Sequence, residues 1–154
     1  MLKIFIPGKP QGKERARSSF RYGKTHHYTP KKTKNYESMI ASIAKSGMGG
    51  KSPTGNPVLL GLDMIYPIPA SWPQWKVEAA LDGVIVPTVK PDSDNVEKAI
   101  KDALNGVAWV DDCQVVTTVK SKVYGEEPGV TVEVMQIGKV PANIKTKSQL
   151  QGAA

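Results

Sequence analysis

KPDSDNVEKAIKDALNGVAWVDDCQVV, residues 90 to 116, places one helical segment between two groups of acids, and the rest of the chain is read outward from it. Val96, Ala99, Ile100, Ala103 and Leu104 recur at helical spacing and form a single apolar stripe. Asp94 with Glu97 three residues later reads as a capping box at the start, and Asn105-Gly106 ends the helix. Lys98, Lys101 and Asp102 are left off the stripe. In extended chain, Asp92 and Asp94 point to one side about 6.6 Å apart, from a rise of ~3.3 Å per residue. Asp112 returns from the far end of the helix, which must bring the chain back near its start if the flanking strands are to pair.

On either side the periodicity is also readable. Leu2, Ile4 and Ile6 alternate as a short strand stopped by Pro7-Gly8, and residues 8 to 28 carry no period, which predicts a mobile basic loop. Thr29-Pro30 opens a helix over about residues 30 to 46, with Tyr36, Met39, Ile40, Ile43 and Ala44 on one face. VLLGLDMIYPI is an apolar strand, and Ser71 with Gln74 forms a capping box for a short helix through Leu81. VVTTVKSKVY and VTVEVMQI are strands that GEEPG joins as a predicted hairpin. Residues 138 to 154 read as a polar tail.

A length of 154 residues fits one domain. With 21 Lys+Arg against 14 Asp+Glu, a net charge of +7 and a pI near 9.5, the chain favours polyanionic partners. The charge is uneven. Ten basic residues stand against Glu14 alone between Met1 and Tyr36, whereas residues 90 to 116 hold six acids and three lysines. The single cysteine, Cys113, excludes an internal disulfide and suits a reducing compartment. No apolar run approaches a membrane span, so a cytoplasmic protein is expected.

Three carboxylates, Asp92, Asp94 and Asp112, on neighbouring segments form a hard-oxygen set suited to Mg²⁺ or Mn²⁺. Without a cation, two such groups ~4 Å apart repel by up to ~4 kcal/mol at an effective dielectric of about 20. The plainer alternatives are Asp94 as an N-cap, Asp92 as a turn former after Pro91, and Asp111-Asp112 as a solvated turn. Lys98 either neutralises charge on a phosphoryl oxygen or pairs with Asp94 at i,i+4, and Asn95 either orients the metal shell or helps to cap the helix. An EF-hand is excluded, because Glu97 falls where glycine is needed and Ala103 where the bidentate Glu belongs. Cys113 with His26 and His27 lacks a fixed geometry for nucleophilic catalysis, and GMGGKS has the wrong spacing for a phosphate-binding loop. Trp72, Trp75 and Trp109 read as core or interface anchors rather than base-stacking platforms.

The pattern K-P-D-x-D-N-x-x-K-x-x-x-D-A-L-x-G followed by D-D-x-Q-V resembles the RusA family of Holliday-junction resolvases of bacteria and their phages. PGKPQGKERAR, YTPKKTKNYE and PIPASWPQWKVEAALDG extend the likeness over residues 1 to 137. The resemblance implies a small single α/β (α+β) domain with a mixed sheet flanked by helices, acting as a homodimer on four-way DNA junctions. It implies two symmetrical cuts made with Mg²⁺ or Mn²⁺ and no small-molecule cofactor, in a bacterial or phage-infected cell. Asp92, Asp94 and Asp112 match the catalytic, metal-holding acids and Lys98 the essential lysine, with Asn95, Asp102 and Asp111 on recurrent positions. Ser93 departs from the larger apolar residue often found between the acids. Lys9, Lys13, Arg15, Arg17, Arg21, Lys31, Lys32 and Lys34 are expected to hold junction phosphates. A non-catalytic junction binder and a less selective metal nuclease stay open as rival readings.

Overall fold

The computed structural model describes residues 1–139. Val58–Pro67 (β4) lies at the centre, with Val58, Leu60, Leu62, Met64 and Tyr66 buried and the residues between them only partly covered or exposed. A period of two of this kind belongs to a strand with one face on a core. Leu2–Pro7 (β1), Gly129–Gln136 (β6) and Val115–Gly125 (β5) complete a four-stranded sheet in the order β1-β6-β4-β5. β6 is antiparallel to both neighbours and β4 is parallel to β5, so the sheet is mixed.

Lys31–Met48 (α1) and Ser93–Leu104 (α3) pack on one face of this sheet, and Gln74–Leu81 (α2) lies by β5. Every residue of the predicted stripe, Val96, Ala99, Ile100, Ala103 and Leu104, is buried in one cluster with Tyr36, Ile40 and Ala44 of α1 and the inward side chains of β1, β4 and β6. Trp109 belongs to that core. Trp72 meets Tyr124 edge to face with centroids 5.2 Å apart, while Trp75 is 67% exposed. On the opposite sheet face, Val119 and Met135 lie exposed. This is the expected small α+β single domain, with three α-helices, a mixed sheet and a second, two-stranded sheet among the described residues.

Four local expectations are corrected. The GEEPG hairpin does not form, because β4 lies between β5 and β6. β6 buries Val130, Val132 and Val134 and needs an inner place, whereas β5 carries Lys120 and Lys122 on the helix-facing side and goes to the edge. Part of the basic loop is ordered: Arg17–Arg21 (β2) and Lys24–Tyr28 (β3) pair antiparallel apart from the main sheet. α1 passes through Gly47 to Met48, because a Cβ at position 47 would come within 2.8 Å of Leu2 and Ile4 side-chain carbons, and the bare glycine lets the helix lie on β1. The caps also move. Pro73, not Ser71, precedes α2, and Asp92, not Asp94, caps α3, accepting from the Asn95 backbone N–H at 2.8 Å. Most of the predicted polar tail, residues 140 to 154, lies outside the described residues.

Because Ile100 is fully buried and Val119 is 61% exposed, Ile100→Ala should cost about 2–5 kcal/mol in urea denaturation and Val119→Ala no more than about 0.5 kcal/mol.

Candidate functional site

The site is built around the first turn of α3. Asp92 is exposed and spends one carboxylate oxygen on the helix cap. The residue before it is held from the core: the Tyr66 hydroxyl donates to the Pro91 carbonyl at 2.6 Å. Burial, with lesser contributions from the Asp92 charge and Tyr36, pushes the Tyr66 hydroxyl up to about 12, so it remains a donor at ordinary pH. Gly12 closes over the same turn, where a Cβ would stand 3.1 Å from side-chain carbons of both Pro91 and Asn95, and the Lys13 N–H donates to the Asn95 carbonyl at 3.1 Å. Asp92 and Asn95 thereby open onto a hollow of about 700 Å³ lined by residues 9–14, Lys32, Thr33, Lys90 and Pro91.

Asp94 turns away from that hollow. Its side chain, 88% exposed, lines a neighbouring depression of about 340 Å³ with Glu97, Lys98, Lys101, Asp102 and Asp112. Lys120 rises from β5, level with Leu62 of β4, and its ammonium group is ion-paired to Asp94 and to Glu97, the latter at 2.7 Å. Glu97 is only 13% exposed and also pairs with Lys101 at 2.7 Å. Burial acts to raise the Glu97 pKa, but the hydrogen bonds and charges of Lys101 and Lys120 outweigh it and hold the carboxyl below its ordinary 4.5. Desolvation likewise opposes the charge on Lys120, and its two carboxylate partners raise its pKa above 10.5 nonetheless.

Asp112 begins a single 3-10 turn, Asp112–Gln114, and accepts from the indole N–H of buried Trp109 at 2.9 Å. That bond ties Asp112 to the core. Asp111 caps the turn, accepting from the Cys113 N–H at 3.0 Å, and Gln114 anchors it by donating to the carbonyls of Thr54 and Asn56 at 2.8 and 2.9 Å. The backbone donor lowers the Asp111 pKa, while hydrogen bonding to Asp111 pushes the Cys113 thiol above 9.0, the wrong direction for a nucleophile.

The proposed ligands are thus adjacent but not merged. Asp94 and Asp112 share one depression and Asp92 faces the other. Among the described residues, no three of His, Cys, Asp and Glu stand close enough to hold one ion together. In donor chemistry the set fits Mg²⁺ or Mn²⁺, being all carboxylate oxygen, and Asp94 already carries a cation in the Lys120 ammonium. Lys98 is exposed and makes no ion pair among the described residues, since Asp94 is taken by Lys120.

Of the basic residues expected to meet DNA, Lys9, Arg15, Lys31, Lys32 and Lys34 are exposed, and Arg17 and Arg21 lie on the β2–β3 hairpin. Lys13 is placed otherwise. It stands between Glu37 of α1, at 3.2 Å, and Asp102 of α3, and so clamps the two helices; this also gives Asp102 its role. Sequence reasoning missed Glu97 as more than a cap partner, and missed Tyr66 and Lys120. The signal for Lys120 was present: two-residue alternation in VVTTVKSKVY sets Thr118, Lys120 and Lys122 on one face, and a charge on the covered face of a strand needs a partner.

Comparison with known proteins shows the family. The family described as Endodeoxyribonuclease RusA matches residues 7–135, and the chain belongs to that family of nucleases. It is 38% identical over 138 residues to "Uncharacterized protein YqaN" of Bacillus subtilis (strain 168), covering 88% of this chain and 96% of that protein.

A carboxyl held below its ordinary value stabilises the fold above that value and ceases to do so as pH falls through the lowered one. Glu97→Gln should therefore be less stable than the parent at neutral pH, with the two stabilities converging below pH 4.5 in urea titrations.

Proposed function

We propose that this RusA-family protein is a metal-dependent, structure-selective endodeoxyribonuclease that resolves four-way junctions by paired symmetrical nicks, acting as a homodimer in the cytoplasm of a bacterial or phage-infected cell. One observation carries the reading: Asp94 and Asp112 share a depression at the first turn of α3 and Asp92 faces the adjoining hollow, beside a Lys98 that makes no ion pair among the described residues, in a strongly basic chain. Asp92, Asp94 and Asp112 would between them hold one or two Mg²⁺ or Mn²⁺ ions. When bound, such an ion supplies a water nucleophile at neutral pH and charge stabilisation for the leaving 3′ oxygen.

The protein's own groups do the remaining work. The Asn95 backbone N–H orients Asp92, Tyr66 fixes the peptide before it, and Trp109 aims Asp112. Lys98 neutralises charge building on the phosphoryl oxygens. Lys9, Arg15, Lys31, Lys32 and Lys34 hold backbone phosphates, which positions the junction without reading much sequence. Two sites related by a two-fold axis would match opposed strands of the junction, and a nick leaving 5′-phosphate and 3′-hydroxyl ends is ready for ligation.

Asp92→Asn or Asp112→Asn should reduce cleavage of a synthetic four-way junction in Mg²⁺ to background while junction binding persists in gel shift. Binding by parent and variant with cleavage by neither, in Mg²⁺ and in Mn²⁺, would assign a non-catalytic junction binder, and equal cutting of linear duplex a less selective nuclease. Lys98→Ala should lower single-turnover cleavage about 10²–10³-fold at saturating protein. Replacing Lys32 with Gln should weaken binding and reduce the magnitude of its salt slope by about 0.9.

A further inference from the structure

The β2–β3 hairpin has both faces in solvent: every residue of β3 is exposed, and in β2 only Ser19 is partly covered. Yet it carries large rings. Tyr22 at the turn is fully exposed and Phe20 is 74% exposed. Burial in this fold does not account for them, and a two-stranded ribbon has little stability of its own to offset exposed apolar surface. Nor does the turn account for Tyr22. Its φ of 52° and the 72° of Gly23 make a turn with both central residues left-handed, where Asn-Gly is the preferred pair and a bulky residue is disfavoured.

The charge on the ribbon points the same way. Arg17, Arg21 and Lys24 lie on it, Arg17 3.9 Å from the Glu14 carboxylate at its base, and the register sets Arg21 directly opposite Lys24. Like charges so placed repel unless an anion lies between or beside them. Phe20 lies on the other face, opposite Thr25. The ribbon therefore presents cations on one side, an aromatic on the other, and a second aromatic at its tip. Aromatic rings combined with cations are the chemistry of binding unstacked nucleic-acid bases.

Its placement links it to the candidate site. The chain entering the ribbon, residues 9–14, and the chain leaving it, Lys32 and Thr33, line the hollow onto which Asp92 opens. The Glu14 N–H donates to the Thr33 hydroxyl oxygen at 3.1 Å and ties the two together at the base. A polyanion seated along this hollow meets the ribbon next. Bases inside continuous duplex offer no free face to a ring, whereas bases at a branch point do.

We propose that the tip of this hairpin, Phe20 and Tyr22, stacks on bases opened at the branch point of junction DNA, while Arg17, Arg21 and Lys24 hold the flanking phosphates. The inference rests on the junction-nuclease reading.

The test places 2-aminopurine at the branch of a four-way junction and follows its fluorescence with full-length protein in Ca²⁺. Binding of the parent should raise the fluorescence. Tyr22→Asn, which supplies the Asn-Gly pair the turn prefers, and Phe20→Ser should each lose most of that rise and weaken junction binding about tenfold, at unchanged salt slope. Arg21→Gln should keep the rise at saturation and lower the magnitude of the slope by about 0.9. Full fluorescence and affinity in both ring variants, with the parent still cutting junctions in Mg²⁺, overturns the assignment of the tip alone. Loss of self-association in the ring variants with the fluorescence rise intact gives the tip to a second copy and overturns it too. A parent that neither prefers nor cuts the junction overturns this inference together with the nuclease reading.

Discussion

Parallel pairing of β4 with β5 obliges the chain between them to cross the sheet, and that crossing builds the site. The crossover carries α3 over the inward face of β4, sealed by Val96, Ala99, Ile100 and Leu104. Once α3 is seated there, its first turn lies near the edge strand. Lys120 of β5 then comes up beside Asp94 and Glu97, and the loop after α3 returns Asp112 to the neighbourhood of Asp94. Had β5 paired with β6 as a hairpin, Lys120 would stand one strand away from the acids it compensates.

Placing acids this close requires cations between them. Glu97 is the least exposed member and has two lysine partners, and Asp94, nearly all in water, shares one of them. Exposed pairs contribute little, so the weight rests on Glu97, where removing one partner would leave a partly desolvated charge. The same arrangement recurs across the helix pair, where Lys13 lies between Glu37 and Asp102. Glu97 and Asp102, the α3 carboxylates that face the protein, are thus neutralised internally, whereas Asp94 stays 88% exposed beside Lys120. Lys98 is the lysine of α3 that this compensation does not consume among the described residues.

Basic surface and acidic centre are parts of one arrangement. The segment that lines the larger hollow enters the β2–β3 hairpin and α1 begins soon after it, so Lys9, Lys32 and Lys90 line the hollow that Asp92 faces, and Arg15, Lys31 and Lys34 lie exposed on the same segments. Such a surround raises the local concentration of a phosphate backbone where the carboxylates alone would repel it.

Much of this was legible beforehand. The stripe of α3, the alternation of β4, the single domain, the acidic cluster and the family pattern are local in the chain, and periods of 3.6 and 2.0 residues report directly which face is covered. Boundaries and partners were not. Asp92 rather than Asp94 became the cap because only Asp92 takes the extended backbone a cap needs while Asn95 offers its N–H. The strand order depended on which strand could bury both neighbours, a comparison between β5 and β6 that neither segment contains. The fates of Lys13, Tyr66 and Lys120 depended on groups 23 to 89 residues away in the chain. The sequence by itself determined which residues seek a core and which chemistry the acids can do. Tertiary structure alone decided which charges are consumed inside the fold and which are left in solvent, because an ion pair is set by distance in space and not along the chain.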